Sequence, residues 1–113
     1  MTVDTDSENV LDVFGDAYAR SILTALSGTP RSAKELCECC DLSPPTVYRR
    51  LRTLEAHGLV RARTRVAADG NHFQVFETAF TTAHITLRDG TLSARLVDAA
   101  ADSTPQPIPS QED

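Results

Sequence analysis

The feature that most constrains the fold of this chain is a change in the spacing of its apolar residues at Gly58. Before that glycine, Val47, Leu51 and Leu54 recur at the intervals expected for one buried face of an α-helix. After it, apolar and polar residues alternate, as they do in a half-buried β-strand. The sequence therefore predicts a helix over residues 43–57 that is followed at once by a strand.

That strand belongs to a predicted β-hairpin. Residues 59–66 form its first strand, Asp69 and Gly70 its turn, and residues 73–76 its returning strand. Three shorter helices are predicted upstream, each beginning at a side chain that caps helix N-termini: Ser7, Asp16 or Ser32. Glu35 completes a capping box with Ser32. Helices followed by a two-stranded ribbon, in this order, are typical of a winged helix-turn-helix.

Residues 80–98 allow two interpretations, a second hairpin around residues 88–91 or a C-terminal helix. Together with Val10, Leu11 and Phe14 of the first helix, this segment holds more apolar residues than one small domain buries well. We therefore expect both sets to pair across a two-fold axis in a homodimer, with residues 80–98 as a dimerisation segment.

The expected domain organisation follows from these elements. Residues 7–79 form the winged helix-turn-helix domain, and residues 1–6 are expected to be a flexible acidic N-terminus. Residues 99–113 contain three prolines and no apolar periodicity, which predicts a disordered tail.

The charge is distributed unevenly along the chain. Residues 43–65 carry six arginines and one acidic residue, whereas the rest of the chain carries fifteen acidic and five basic residues. A basic block on an acidic chain is typical of a surface that faces nucleic acid. The alternative is a set of ordinary surface arginines that neutralise the acidic remainder.

Several classes of protein do not fit the sequence. No apolar run approaches the length of a membrane-spanning helix, and the first nine residues lack the features of a secretory signal. Three cysteines, two of them adjacent, make a poor disulfide framework, so we expect a reducing cytoplasm. No phosphate-binding glycine loop or nucleophile elbow is present, and we expect neither an enzyme nor a cofactor.

The sequence resembles the ArsR-type transcriptional regulators over roughly residues 10–78. The resemblance is carried by six segments: residues 13–23, 35–37, 42–43, 46–51, 54–55 and 58–61. It implies an α+β, mainly helical, winged helix-turn-helix fold, to which this chain adds the C-terminal segment. It also implies a homodimeric repressor that binds double-stranded DNA. The acidic composition with a single lysine is similar to that of proteins from salt-loving archaea.

In this interpretation the helix over residues 43–57 enters the major groove, and the wing over residues 59–76 contacts the flanking backbone. Arg49 is the candidate for reading guanine, and Tyr48 for a thymine methyl group or a phosphate. The full predicted DNA-facing set is Ser43, Pro45, Thr46, Tyr48, Arg49, Arg50, Arg52, Arg61, Arg63 and Arg65. The alternative for the helix arginines is a solvated face paired with Glu55 or Asp41.

Cys37, Cys39 and Cys40 are expected to be buried packing residues, because a helix-turn-helix places small apolar side chains at these positions. Metal-sensing relatives in the resembled family carry a cysteine pair further upstream, near residues 32–34. A redox-sensitive thiol and a metal ligand are therefore kept as alternatives. The chain as a whole is interpreted as a DNA-binding transcriptional regulator, and the alternative is a winged helix that contacts only other proteins.

Overall fold

The computed structural model of the chain describes residues 7–97, with side chains from Val10 onward. Within this range four helices precede four strands, which pair as two antiparallel hairpins. The elements are α1 (Ser7–Gly15), α2 (Ala17–Leu26), α3 (Ala33–Cys40), α4 (Pro44–Ala56), β1 (Val60–Val66), β2 (His72–Thr78), β3 (Thr82–Arg88) and β4 (Thr91–Val97). The predicted fold class, a winged helix-turn-helix, is confirmed. The expectations for residues 1–6 and 99–113 lie outside the described residues.

Side-chain caps set the starts of α2 and α3, as the sequence predicts. The Asp16 carboxylate accepts a hydrogen bond from the amide of Ala19 at 3.0 Å. At α3, the Ser32 hydroxyl accepts from the Glu35 amide, and the Glu35 carboxylate accepts from the Ser32 amide. Both helices therefore begin where their free amides find a local acceptor.

The core lies between α2, α3, α4 and the base of the first hairpin. It is filled by one apolar stripe of each helix and by the residues that lead into β1. The most deeply buried side chains are Ile22, Leu26, Leu36, Val47, Leu51, Leu54, Leu59 and Val60. Each contributes about 1.5–3 kcal/mol by leaving water, so packing rather than helix propensity holds α4 in place.

The first hairpin, β1–β2, is the predicted wing. The Ala67 amide donates to the Asn71 carbonyl at 2.7 Å, which leaves a three-residue loop with Gly70 at a φ of 89°. A left-handed glycine is what such a loop requires. β2 begins one residue before the predicted strand over residues 73–76 and ends two residues after it.

The backbone of Arg31 pairs with the same hairpin. Its amide donates to the Phe76 carbonyl at 3.0 Å, and the Phe76 amide donates back to the Arg31 carbonyl at 2.7 Å. Because Arg31 lies just before the Ser32 cap, this pairing ties the start of α3 to β2.

Residues 82–97 form a hairpin, which decides between the two interpretations of the C-terminal segment. Asp89 and Gly90 both have positive φ, 52° and 78°, which defines a tight two-residue turn of the kind favoured in hairpins. The register places six apolar side chains on one face: Ala83, Ile85, Leu87, Leu92, Ala94 and Leu96. Pairing and this face, rather than a helical stripe, therefore organise the segment.

The apolar side chains of the first helix are partly covered within the described chain, since Val10 is buried while Leu11 and Phe14 are half-buried. Their pairing across a two-fold axis stays a prediction. Val10 and Val13 are buried within the described chain, and α1 packs against α2 and β4. The ring of Phe14 meets the ring of Phe80 edge-on, with centroids 5.9 Å apart. Residues beyond the wing supply the cover that the sequence did not reveal.

Candidate nucleic-acid interface

The outward face of α4 is the centre of the candidate interface. Because Val47, Leu51 and Leu54 are turned into the core, the opposite face carries four exposed residues: Pro45, Arg49, Arg52 and Ala56. Within the described part of the chain, neither Arg49 nor Arg52 has an acidic side chain within 4 Å. Two guanidinium groups thus project from one helix face without an acidic partner among the described residues.

The start of α4 has no side-chain cap of the kind found at α2 and α3. Ser43 is the N-cap residue, but its hydroxyl donates to the Thr46 hydroxyl at 3.0 Å instead of accepting from a backbone amide. Pro44 and Pro45 occupy the first two helical positions and have no N–H, so Thr46 carries the first backbone N–H of the helix. The two hydroxyl groups remain at the helix start, beside the exposed ring of Pro45.

Arg50 is half-buried and its guanidinium is engaged within the chain, unlike those of Arg49 and Arg52, and its assignment to the DNA-facing set stays a prediction. Its guanidinium donates to both carboxylate oxygens of Asp16, at 2.8 and 3.3 Å, and lies 5.1 Å from the centre of the Tyr18 ring. The hydrogen bond from Arg50 holds the pKa of Asp16 below its usual range. This ion pair joins α2 to α4, and neither Glu55 nor Asp41, the partners considered for it, is involved.

The wing arginines share one strand face, and an acidic residue lies on the same face. Glu77 is directly opposite Arg61, whose Nε lies 2.6 Å from the carboxylate, while the Nε of Arg63 lies 3.4 Å away. The hydrogen bond from Arg61 is the main cause of the lowered pKa of Glu77. Arg65, nearest the wing tip, has no acidic side chain within 4 Å in the described chain.

Tyr48 lies on the flank of α4 that faces α3 and β2. Its exposed ring borders a cleft that Lys34 and His72 also line. Sequence reasoning missed these two residues because both lie outside the arginine-rich block. The one available signal is that Lys34, the single lysine of the chain, stands two residues after the Ser32 cap.

The region that carries these features matches a known family. Residues 14–63, from the end of α1 into β1, match a family model described as a helix-turn-helix domain. The match and the observed fold agree on a helix-turn-helix for this part of the chain. Domains of this kind place their second helix in the DNA major groove, so the match indicates a DNA-binding regulator in general. A comparison with proteins of curated function finds no match.

In this helix-turn-helix domain the cysteines lie at the end of α3 and are free thiols. Cys37 and Cys40 are half-buried against the core, but Cys39 is exposed, so the expectation of three buried packing residues is wrong for Cys39. The Cys40 Sγ donates to the Ser21 carbonyl at 3.7 Å, and burial raises the pKa of this thiol. No group of three metal-binding side chains occurs among residues 10–97.

The helix-turn-helix domain therefore has fewer available cations than its sequence suggests. Asp16 and Glu77 come from outside the arginine-rich block and bind Arg50, Arg61 and Arg63. Of the six arginines in residues 43–65, Arg49, Arg52 and Arg65 have no acidic side chain within 4 Å among the described residues. Within the described residues, no helix is long and apolar enough to cross a membrane.

Proposed function

We propose that this protein is an ArsR-type transcriptional repressor that binds promoter DNA as a homodimer. The observation that carries the proposal is the pair of guanidinium groups without an acidic partner among the described residues, Arg49 and Arg52, on the exposed face of the second helix of a helix-turn-helix domain. A protein that occupies promoter DNA in this way blocks access of the transcription machinery to the same site.

Direct readout rests on Arg49 in this proposal. It lies in the first half of α4, and a guanidinium at such a position binds the O6 and N7 atoms of guanine in bidentate fashion. Pro45 beside it offers no hydrogen bond and contributes shape and apolar contact. Arg52, Tyr48 and the hydroxyl groups of Ser43 and Thr46 are assigned to phosphates, which fix the helix in the groove.

The wing contacts the flanking DNA backbone through arginines that differ in availability. Arg65 has no acidic partner to give up among the described residues, whereas Arg61 and Arg63 must exchange the Glu77 carboxylate for a phosphate. We therefore assign the first wing contact to Arg65, and we expect the other two to contribute less than their number suggests. Such contacts supply affinity and little sequence preference.

The homodimer is assigned to the second hairpin. Ile85, Leu87 and Leu92 are exposed on the apolar face of β3–β4, although α1 is partly covered within the chain. Apposing two copies of this face removes both apolar surfaces from water. A two-fold dimer would then place its recognition helices in successive major grooves, on half-sites roughly 10 base pairs apart.

The experiment that tests this function starts from selection of a bound sequence out of a random duplex library. Arg49→Ala should weaken binding to the selected sequence by about 1–3 kcal/mol and binding to random DNA much less. Arg65→Ala should weaken both about equally and lower the salt dependence by about one phosphate contact. Arg88→Ala, an exposed arginine at the tip of the second hairpin, is the matched control.

A second candidate function is a winged helix that contacts only protein partners. The neutralisation of Arg61 and Arg63 by Glu77 favours it, because a wing used for DNA is expected to keep its cations available. Failure to select any DNA sequence, with a partner retained in pull-down, would replace the DNA-binding proposal with this one.

A thiol- or metal-responsive repressor is a refinement of the first candidate, supported by the exposed thiol of Cys39. The measurement is DNA affinity with and without oxidant or a thiophilic metal. A response that is lost in Cys39→Ala or Cys37→Ser would establish a sensor. An unchanged parent affinity under both treatments would limit the cysteines to packing.

A further inference from the structure

A cleft between three elements of the fold borders α4, the helix proposed to enter the DNA groove. It lies between the start of α3, the flank of α4 and β2, and has a volume of about 420 Å³. Five side chains with hydrogen-bond donors line it: Ser32, Lys34, Tyr48, His72 and Gln74.

The chemistry of the cleft suits an anion. An ammonium, two hydroxyl groups, an imidazole and an amide converge on it, and no described acidic residue lines it. Glu35, next to Lys34 in the sequence, is occupied as acceptor for the Ser32 amide at 2.8 Å. Glu38 lines a separate cleft, to which Lys34 and Tyr48 also contribute.

The walls of the cleft are held relative to each other. The paired backbones of Arg31 and Phe76 join the α3 wall to the β2 wall, with bonds of 3.0 and 2.7 Å. Ala33 and Phe76 are buried beneath it, and α4 packs on α3 through the core. The donors are therefore set on three elements whose spacing does not depend on a ligand.

The position of the cleft identifies the anion. On one side it adjoins the α4 flank that carries Tyr48, next to the exposed face of Arg49 and Arg52. On the other side it ends at His72, which pairs with Val66 at the last step before the wing loop. A DNA strand that ran from a groove occupied by α4 to the wing would therefore pass over this cleft.

We propose that the cleft binds a phosphate of the DNA backbone, with Lys34 as its cation and Tyr48 and His72 as neighbouring donors. The inference rests on the proposed DNA-binding function and adds one contact that links the recognition helix to the wing. The ammonium of Lys34 acts there as a point charge on the phosphate, which gives affinity without sequence preference.

The test is a salt titration of DNA affinity for the parent, Lys34→Gln and the control Arg88→Ala, which removes one remote positive charge. Lys34→Gln should weaken binding to selected and random DNA by the same factor, about fivefold to tenfold near 0.1 M salt. Its salt slope should fall by about one phosphate contact, while the control keeps the parent slope. Tyr48→Phe, which removes only a hydroxyl, should lose less affinity and keep the slope.

The outcomes separate this inference from the function on which it rests. If Arg49→Ala loses selected-site affinity but Lys34→Gln matches Arg88→Ala in affinity and slope, the cleft assignment is wrong and the DNA-binding function stands. If the parent binds no DNA, both are wrong. An NMR titration with inorganic phosphate tests whether the cleft binds a free anion instead of a DNA phosphate. Saturable chemical-shift changes at Lys34 and His72, together with an unchanged DNA affinity in Lys34→Gln, would assign the cleft to a free anion.

Discussion

The hairpins β1–β2 and β3–β4 each pair two seven-residue strands, but they bury very different shares of their apolar faces. In the wing, Val60 and Phe76 point into the core, and the arginine face points outward. In the second hairpin the apolar face is covered on β4, where Ala94 is buried and Leu96 packs against the core, while Ile85 and Leu87 of β3 remain exposed.

The difference indicates what each hairpin offers to a partner. The wing buries the apolar side chains at its base and presents arginines on its other face, which suits a polyanion. The second hairpin presents apolar side chains at its outer end, and a contiguous exposed apolar surface marks a protein contact. Similar backbone geometry thus presents two kinds of surface, according to which face the rest of the chain covers.

The largest expected effect is a difference between the two hairpins in how much a truncated side chain lowers the free energy of unfolding. Phe76→Ala should lower the free energy of unfolding by about 3–5 kcal/mol, because it empties a packed position at the base of the wing. Leu92→Ala in the second hairpin should cost less than about 0.5 kcal/mol in the monomer, since that side chain is already half in water. Urea denaturation at low protein concentration measures both, and equal losses would mean that the two hairpins are packed alike.

The next effect concerns association. Leu87→Asp should raise the dimer dissociation constant by about 100-fold or more, because an unpaired carboxylate would be buried between two copies. Val66→Asp on the wing is the matched control, with 62% exposure against 72% for Leu87. Sedimentation equilibrium should show a dimer for parent and control and a monomer for Leu87→Asp. A monomeric parent at micromolar concentration would contradict the assignment of this face.

A smaller effect addresses the charge on the wing. Glu77→Gln should tighten binding to DNA of any sequence by about 0.5–1 kcal/mol, because Arg61 and Arg63 no longer exchange a carboxylate for a phosphate. The salt slope should rise by about one contact. Asp89→Asn removes one negative charge from the turn of the second hairpin and should change neither quantity. Unchanged affinity in Glu77→Gln would indicate that the wing does not reach DNA.

The smallest effect concerns acid stability. Arg50 holds the pKa of Asp16 below its ordinary value of 3.8, so the folded protein binds fewer protons there than the unfolded chain. The resulting stabilisation, about 1 kcal/mol or less for a partly exposed pair, is present above that value and is lost as the pH falls below it.

Asp16→Asn tests this because asparagine still caps α2 but cannot ionise. Unfolding free energies at pH 7 and pH 3 should differ less in this variant than in the parent. Glu77→Gln should remove a second part of the same dependence, since the pKa of Glu77 is also lowered. A parent and an Asp16→Asn variant with identical pH dependence would rule out the stabilising role of the pair.

The sequence by itself determined the elements whose signals are local. The Asp16 cap, the Ser32 and Glu35 capping box and the apolar stripe of α4 placed the helices, and Asp69 and Gly70 placed the wing turn. These signals work because a cap or a buried stripe depends on residues within a few positions of each other. The outward direction of Arg49 and Arg52 followed from the same stripe.

Only the tertiary structure decided which charges remain available. A two-residue turn at Asp69 and Gly70 would have put Glu77 opposite Ala62, on the core side of the wing. The three-residue loop shifts the register by one position and places Glu77 on the face of the arginines.

Asp16 meets Arg50 across 34 positions because α2 and α4 pack side by side. The choice of a hairpin for residues 82–97 depended in the same way on α1, against which β4 packs. The local spacing of residues does not predict such distant contacts, because strand register and helix contacts are set by packing between segments far apart in the chain.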